Sequence, residues 1–302
     1  MLRKIYEQPS TGNSSFPGIA SCGRYSPFTT NRLELTGIFM KKQPIFQVDA
    51  FASRLFDGNA AAVCPLEKWL PDALMQSIAS ENNVSETAFF VPDNDVYHIR
   101  WFTPNTEVAL CGHATLASAF IILEYFEPAA NAVHFSSQSG ALCVRKKEDK
   151  LELDFPALPF TLVTPSSELI SIIGMQPVEV FESTFDTLVI LKNEQAVRNA
   201  LPNLERLAKL PCRGLILSAQ TQTGDIYSRC FYPGCDVPED PVTGSAHCVI
   251  APYWSEQSGK QTFRAVQGLK RQGELFCHIK GNRVFMAGSC QLYLQGKICL
   301  PE

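Results

Sequence analysis

Residues 100–117, RWFTPNTEVALCGHATLA, are written again in altered form at residues 229–248, RCFYPGCDVPEDPVTGSAHC. Both stretches carry Arg-x-Phe-x-Pro-x-x-acid-Val and both then reach Gly-x-Ala, the second after three extra residues. A shared pattern of this length points to a duplicated unit, so two related halves are the first expectation for the fold. Upstream, LPDALMQSIA from Leu70 and LPNLERLAKL from Leu201 also match. Each reads as an amphipathic helix introduced by Pro and a small polar residue.

Outward from the repeat, each half reads as strand, helix, strand, a Pro-containing loop, and then a glycine opening another helix. Strand candidates are PIFQVDAF, ETAFFV, YHIRWF, LELDF, TLVIL, RGLILSA, IYSRCF and RVFMAG, all short and rich in β-branched or aromatic residues. The helix HATLASAFIILEYF sets Leu116, Phe120, Leu123 and Tyr125 at spacings near a helical turn, and it is apolar enough to predict burial on most sides. A central helix wrapped by sheet follows. The break between halves is expected in DFPALPF, where Pro156 and Pro159 disfavour a continuous ladder.

Two related halves that each end a loop at a helix start can turn those starts towards each other. Unpaired first-turn amides and the macrodipole would then form an anion cradle, with Gly112 and Gly244 allowing close approach of a ligand. Equally, both glycines can be turn residues only. His113 and Ser245 follow the two glycines at matching places. The helix dipole disfavours an imidazolium there and predicts a neutral His113. Asp240 lies just ahead of the second glycine, as a cap or a ligand contact, with Glu239 as its competitor.

Chemistry needs an asymmetric group, and NNVSETAFFV (residues 82–91) supplies Glu86, where the second copy offers Arg213 or Gly214. A carboxylate that loses hydration beside apolar residues can both accept and donate a proton near neutrality. It is also readable as a strand-edge acid or an amide cap. Cys111 precedes Gly112 at a helix start, which favours thiolate, but Thr243 stands where a partner thiol would be. Racemisation between two thiols lacks one of them.

The chain of 302 residues is 45% hydrophobic, enough to bury a sizeable core, and its formal net charge of −4 gives nucleic acid or anionic membrane no electrostatic attraction. The longest apolar stretch, ATLASAFIILEYF, falls short of the roughly 18 to 20 residues that span a bilayer and contains Glu124. Eleven cysteines at irregular spacings, without a CxxC pair, predict reduced thiols in a cytoplasmic protein and no metal. Residues 1–39 are rich in Ser, Thr, Gly and Pro and read as a disordered leader, with Met40 as a candidate start.

The runs VDAFASRLFDGNAAAV, NNVSETAFF, RWFTPNTEVALCGHATLA and DPVTGSAH, in this order, resemble the PhzF-like (phenazine biosynthesis-like) proteins, relatives of diaminopimelate epimerase and proline racemase. The similarity covers essentially residues 42–302. It implies an α/β fold of two pseudo-symmetric epimerase-like domains, residues 40–156 and 157–302, each a curled mixed sheet around a central helix, with the last strand able to return to the first domain. It places the active site in the cleft between them. It also implies a cofactor-independent isomerase acting on a small carboxylate-bearing substrate, commonly as a homodimer. Carried over residue by residue, Glu86 becomes the proton-transfer group, and Gly112, His113, Asp240, Gly244 and Ser245 contact substrate. Cys111 matches one catalytic cysteine position of the epimerases, with Thr243 in place of the other. A cysteine-assisted epimerase and a noncatalytic metabolite-binding protein are the competing readings.

Overall fold

The computed structural model describes residues 40–301, of which 43–298 form one compact unit. The expected leader, residues 1–39, lies outside the described residues. Every strand candidate named above becomes a strand, and the sheet is mixed.

In the first copy, β1 (Met40–Ala50) pairs antiparallel with β2 (Asn59–Pro65), which runs parallel to β3 (Glu86–Asp93) after helix α1 (Asp72–Asn82). β3 pairs antiparallel with β4 (Val96–Phe102), and β4 holds the short β5 (Glu107–Val108). Helix α2 (Gly112–Ile121) follows, and then β6 (Ala132–Ser137), parallel to β4, leads into the antiparallel β7 (Gly140–Lys147) and β8 (Lys150–Pro156).

The second copy repeats these pairings. After β9 (Phe160–Val163) and α3 (Ser167–Ile173), β10 (Glu179–Ser183) pairs antiparallel with β11 (Asp186–Ile190). Short helices α4 (Glu194–Asn199) and α5 (Leu204–Leu207) precede β12 (Gly214–Gln220), which runs parallel to β11. β13 (Ile226–Tyr232) is antiparallel to β12 and carries β14 (Val237–Asp240). After helix α6 (Gly244–Ser258), β15 (Thr262–Gln267) runs parallel to β13 and leads into the antiparallel β16 (Gly273–Lys280) and β17 (Arg283–Gly288). β17 pairs with β8, so hydrogen bonding joins one copy to the other along Leu151–Pro156.

The repeated arginines are structural. Arg100 grips Glu107 with two bonds of 2.7 Å, and Arg229 grips Glu239 at 2.8 and 2.9 Å, each fixing a strand to the loop before its glycine. The three extra residues of the second copy move the acid along the chain without losing the pair. This pairing occupies Glu239, the competitor of Asp240.

Helix α2 is buried around most of its circumference, as its composition predicts: His113, Ala114, Thr115, Leu116, Ala117, Ser118, Ala119 and Ile121 are all buried. It does not remain α-helical to Phe126. A wider turn spans Ile122–Phe126, and Glu127 N–H bonds the Ile122 carbonyl at 2.7 Å. The widening sets Tyr125 against Phe46 and Phe126 against Phe90, with ring centroids 5.1 and 6.0 Å apart. α6 carries Pro252 in its interior, which has no N–H for the Cys248 carbonyl. Leu158 N–H supplies that bond instead, at 2.9 Å.

One expectation needs correction. LPDALMQSIA forms α1, but LPNLERLAKL yields only the single turn of α5, capped by Asn203, whose side chain accepts from Arg206 N. Pro211 lies close downstream and biases the residue before it away from helix. Among the described residues all cysteines are free thiols.

Leu116 is fully buried at the centre of the core. Leu116→Ala is expected to cost about 2 to 5 kcal/mol of unfolding free energy, measured by urea denaturation.

Candidate active site

The two glycine-led helix starts face each other. A Cβ built on either Gly112 or Gly244 would lie 3.8 Å from the other's Cα. Larger side chains at both places would separate the helices. The N-cap residues, Cys111 and Thr243, make no side-chain cap bond, so neither first turn has its amides capped in that way.

Glu86 is the first residue of β3 and is brought beside the start of α2. Its Oε2 lies 3.1 Å from His113 Nε2, with side-chain exposures of 16% and 6%. The two atoms attract as charges without hydrogen-bond alignment, and both are buried without a hydrogen-bond partner among the described residues. Burial works against the imidazolium, but the adjacent Cys111 and Glu86 outweigh it and hold His113 well above the ordinary histidine range. Cys111 itself is pushed up to about 11, first by burial and then by Glu86, so near neutrality it is an uncharged thiol. The carboxylate is therefore the partner that sustains the charge. Both directions run against the helix-end expectation of a neutral His113 and a thiolate Cys111: contact with charged neighbours raises His113, and burial, followed by Glu86, raises Cys111.

On its other edge, His113 Nδ1 lies 3.5 Å from Cys111 Sγ and 3.3 Å from Asn59 Nδ2. Asn59, fully buried at the start of β2, donates to Asp240 Oδ1 at 2.7 Å and to the Val242 carbonyl at 3.0 Å. Those two bonds use both amide hydrogens, which leaves Cys111 Sγ as the hydrogen-bonding neighbour of His113 Nδ1. Ser85 completes the arrangement by donating to Asn59 Oδ1 at 2.9 Å. The other Asp240 oxygen accepts from Thr243 Oγ1 at 2.5 Å, and Gln267 ties Thr243 N and Oγ1 at 3.0 Å each.

Asp240 thus belongs to the cluster, through Asn59, and does not cap α6. Ser245 sits apart from it, accepting from Arg213 Nη2 at 3.1 Å. Sequence reasoning did not single out Asn59, Ser85 or Gln267. Asn59 had a visible signal, an amide directly after Gly58, which has φ +65°; Gln267 had none.

Glu86, Cys111 and His113 each present one donor atom, and these lie within 4.8 Å of one another. The set has the residue types of a metal site. Coordination would have to displace the proton from Cys111 and the ion pair from His113.

Burial, opposed by His113 and reinforced by Glu86, pushes Asp240 up to about 6. A group whose folded pKa is raised holds extra protons in the native state, so its contribution to stability is present at low pH and is lost as pH rises through about 6. The unfolding free energy of wild type relative to Asp240→Asn should therefore fall by roughly 1 kcal/mol between pH 5 and pH 7.5, followed by denaturant titration at both values.

The family model described as phenazine biosynthesis-like protein, PhzC-PhzF, matches residues 48–297. An uncharacterized isomerase of Pseudomonas aeruginosa is 48% identical over 254 residues, covering 84% of this chain and 97% of that protein. A crystal structure of a PhzF-family protein from Enterococcus faecalis is 42% identical, with a TM-score of 0.83, covering 85% of this chain and 99% of that one. A hydroxyproline epimerase from Agrobacterium vitis, at 10% identity and a TM-score of 0.54, shares the fold over 87% of this chain and 92% of its own. No helix among the described residues is long and apolar enough to cross a membrane. The chain belongs to the phenazine biosynthesis-like PhzC-PhzF family and is an isomerase built on the epimerase-type α/β fold.

Proposed function

We propose that this isomerase moves a proton within a small carboxylate-bearing molecule without a cofactor, and that Glu86 is the group that takes the proton and returns it. The observation that carries this reading is the Glu86 carboxylate itself: it is largely buried, its Oε2 lies 3.1 Å from His113 Nε2, and it has no aligned hydrogen-bond partner among the described residues. A carboxylate held by charge attraction rather than by aligned hydrogen bonds keeps the basicity needed to take a proton from a C–H group.

In the proposed step, Glu86 accepts the proton from one carbon and the electron pair delocalises into the substrate. The imidazolium of His113 and the first-turn amides of α2 and α6 offset the negative charge that develops, and Glu86 then delivers the proton to a second carbon. Atoms and charge balance within one molecule. Asn59 and Asp240 act as positioning groups that tie the start of β2 to the segment before α6, beside His113. We further propose that the two copies are domains meeting near residue 156, with the substrate held between the two helix starts.

The thiol alternative is disfavoured by the protonated state of Cys111 and by Thr243 at the matching place. Small unsaturated and chiral acids incubated in deuterated water would identify an exchanging substrate by proton NMR. On it, Glu86→Gln should lower turnover at least about 100-fold, and Cys111→Ser should stay within about tenfold of wild type. Normal turnover by Glu86→Gln rejects the assignment. Loss on Cys111→Ser with Glu86→Gln active transfers the role to the thiol.

A further inference from the structure

Strand register identifies what stands opposite Glu86 in the second copy. Phe102 and Phe231 hold the same place in the repeated motif, and they pair with Thr87 and Leu215 on the neighbouring strands. The residue before each partner is Glu86 in one copy and Gly214 in the other. The parallel ladders agree, setting Ala61 beside Glu86 and Asp186 beside Gly214.

The space that a side chain at position 214 would take is filled by Tyr232. A Cβ on Gly214 would lie 2.1 Å from Tyr232 Cδ1. Tyr232 is 6% exposed, and its buried hydroxyl has no aligned hydrogen-bond partner among the described residues, its neighbouring acceptor being the Cys230 thiol, a weak one. A buried hydroxyl left unpaired is costly, and it calls for an acceptor supplied from elsewhere.

Its surroundings indicate which acceptor. The Arg213 guanidinium lies 5.3 Å from the Tyr232 ring centroid and is held by Asp186, at 2.9 Å through Nε and 2.5 Å through Nη2. The same Nη2 donates to Ser245 Oγ. Arginine can only donate, so it uses a lone pair of Ser245 and leaves the serine hydrogen free to be given. Ser245 lies in the first turn of α6, where no side chain caps the helix. The two nearest acids are already engaged: Asp186 with Arg213, and Asp240 with Asn59 and Thr243. What remains is a set of donors whose one uncommitted neighbouring acceptor is the weakly accepting Cys230 sulfur.

We propose that Tyr232, flanked by Arg213 and Ser245, is the carboxylate-recognising wall of the ligand site, with the Tyr232 hydroxyl donating directly to a ligand carboxylate oxygen. The inference rests on the reading of the ligand as a small carboxylate-bearing molecule and adds which residues select it. Burial holds the phenol well above its ordinary range, so it remains a donor at physiological pH. Duplication has therefore produced two unlike walls: one presents the base, the other holds the acid group of the same molecule.

Isothermal titration of the full chain at pH 7 with benzoate, and with benzamide as its uncharged counterpart, tests this. Wild type should bind benzoate about tenfold or more tightly than benzamide, and Tyr232→Phe should weaken benzoate about tenfold. The phenyl ring still covers Gly214 in that variant, so its thermal midpoint should stay close to wild type. Ser245→Ala provides the same readout should Tyr232→Phe fail to fold. Absence of saturable benzoate binding by wild type, or unchanged benzoate binding by Tyr232→Phe, overturns the proposal. Glu86→Gln separates the two ideas. Exchange activity kept by Glu86→Gln, with benzoate binding lost in Tyr232→Phe, removes the base and leaves the carboxylate wall; the opposite pattern removes the wall and leaves the base.

Discussion

The close approach of Gly112 and Gly244, near enough that a Cβ on one would touch the Cα of the other, is the constraint on which the rest of the site depends. Two helix starts that close would force any pair of larger side chains apart, and with them the groups that each start carries. Because neither N-cap side chain turns back on its own helix, the field of both first turns is directed outward. The pairing of β8 with β17, and the enclosure of α2 and α6 by the sheet, hold this contact in place.

On that frame of repeated strand pairings the electrostatics are asymmetric. One side places a carboxylate against an imidazolium, with Asn59 committing its amide hydrogens so that His113 has a single orientation. The other side has a glycine where the carboxylate would be, a tyrosine ring in the vacated space, and an arginine neutralised by a buried aspartate. Each side contains a buried polar atom that the described residues do not satisfy: Glu86 Oε2 and His113 Nε2 on one, the Tyr232 hydroxyl on the other. Such atoms raise the free energy of the folded chain, and a bound molecule that meets them recovers it.

How much of this was legible depended on how local each signal was. Strands such as RGLILSA and YHIRWF declared themselves through β-branched and aromatic residues, whereas β2, with NAAAVCP, did not, because three alanines carry little strand preference. α2 was readable as a buried helix from composition. Its widened last turn was not, since that turn answers to where Phe46 and Phe90 stand, far away in sequence. Among the candidate site residues, Glu86, Gly112, His113, Asp240, Gly244 and Ser245 could be singled out from motif position. The direction in which their surroundings push them could not: a helix-end argument omits the Glu86 carboxylate at contact distance from His113 and the burial of Cys111.

By itself the sequence determined the duplication, the glycine that opens each central helix, the single acid that breaks the symmetry and the family to which the chain belongs. These are properties of residue type and order, and folding does not alter them. Only the tertiary structure decided that Asn59 bonds Asp240 and lies against His113, that Glu239 belongs to Arg229, and that Tyr232 occupies the place opposite Glu86. Those facts depend on distances between residues remote in the chain, and Coulomb and hydrogen-bond energies change steeply over a few ångströms. No spacing along the sequence encodes such distances.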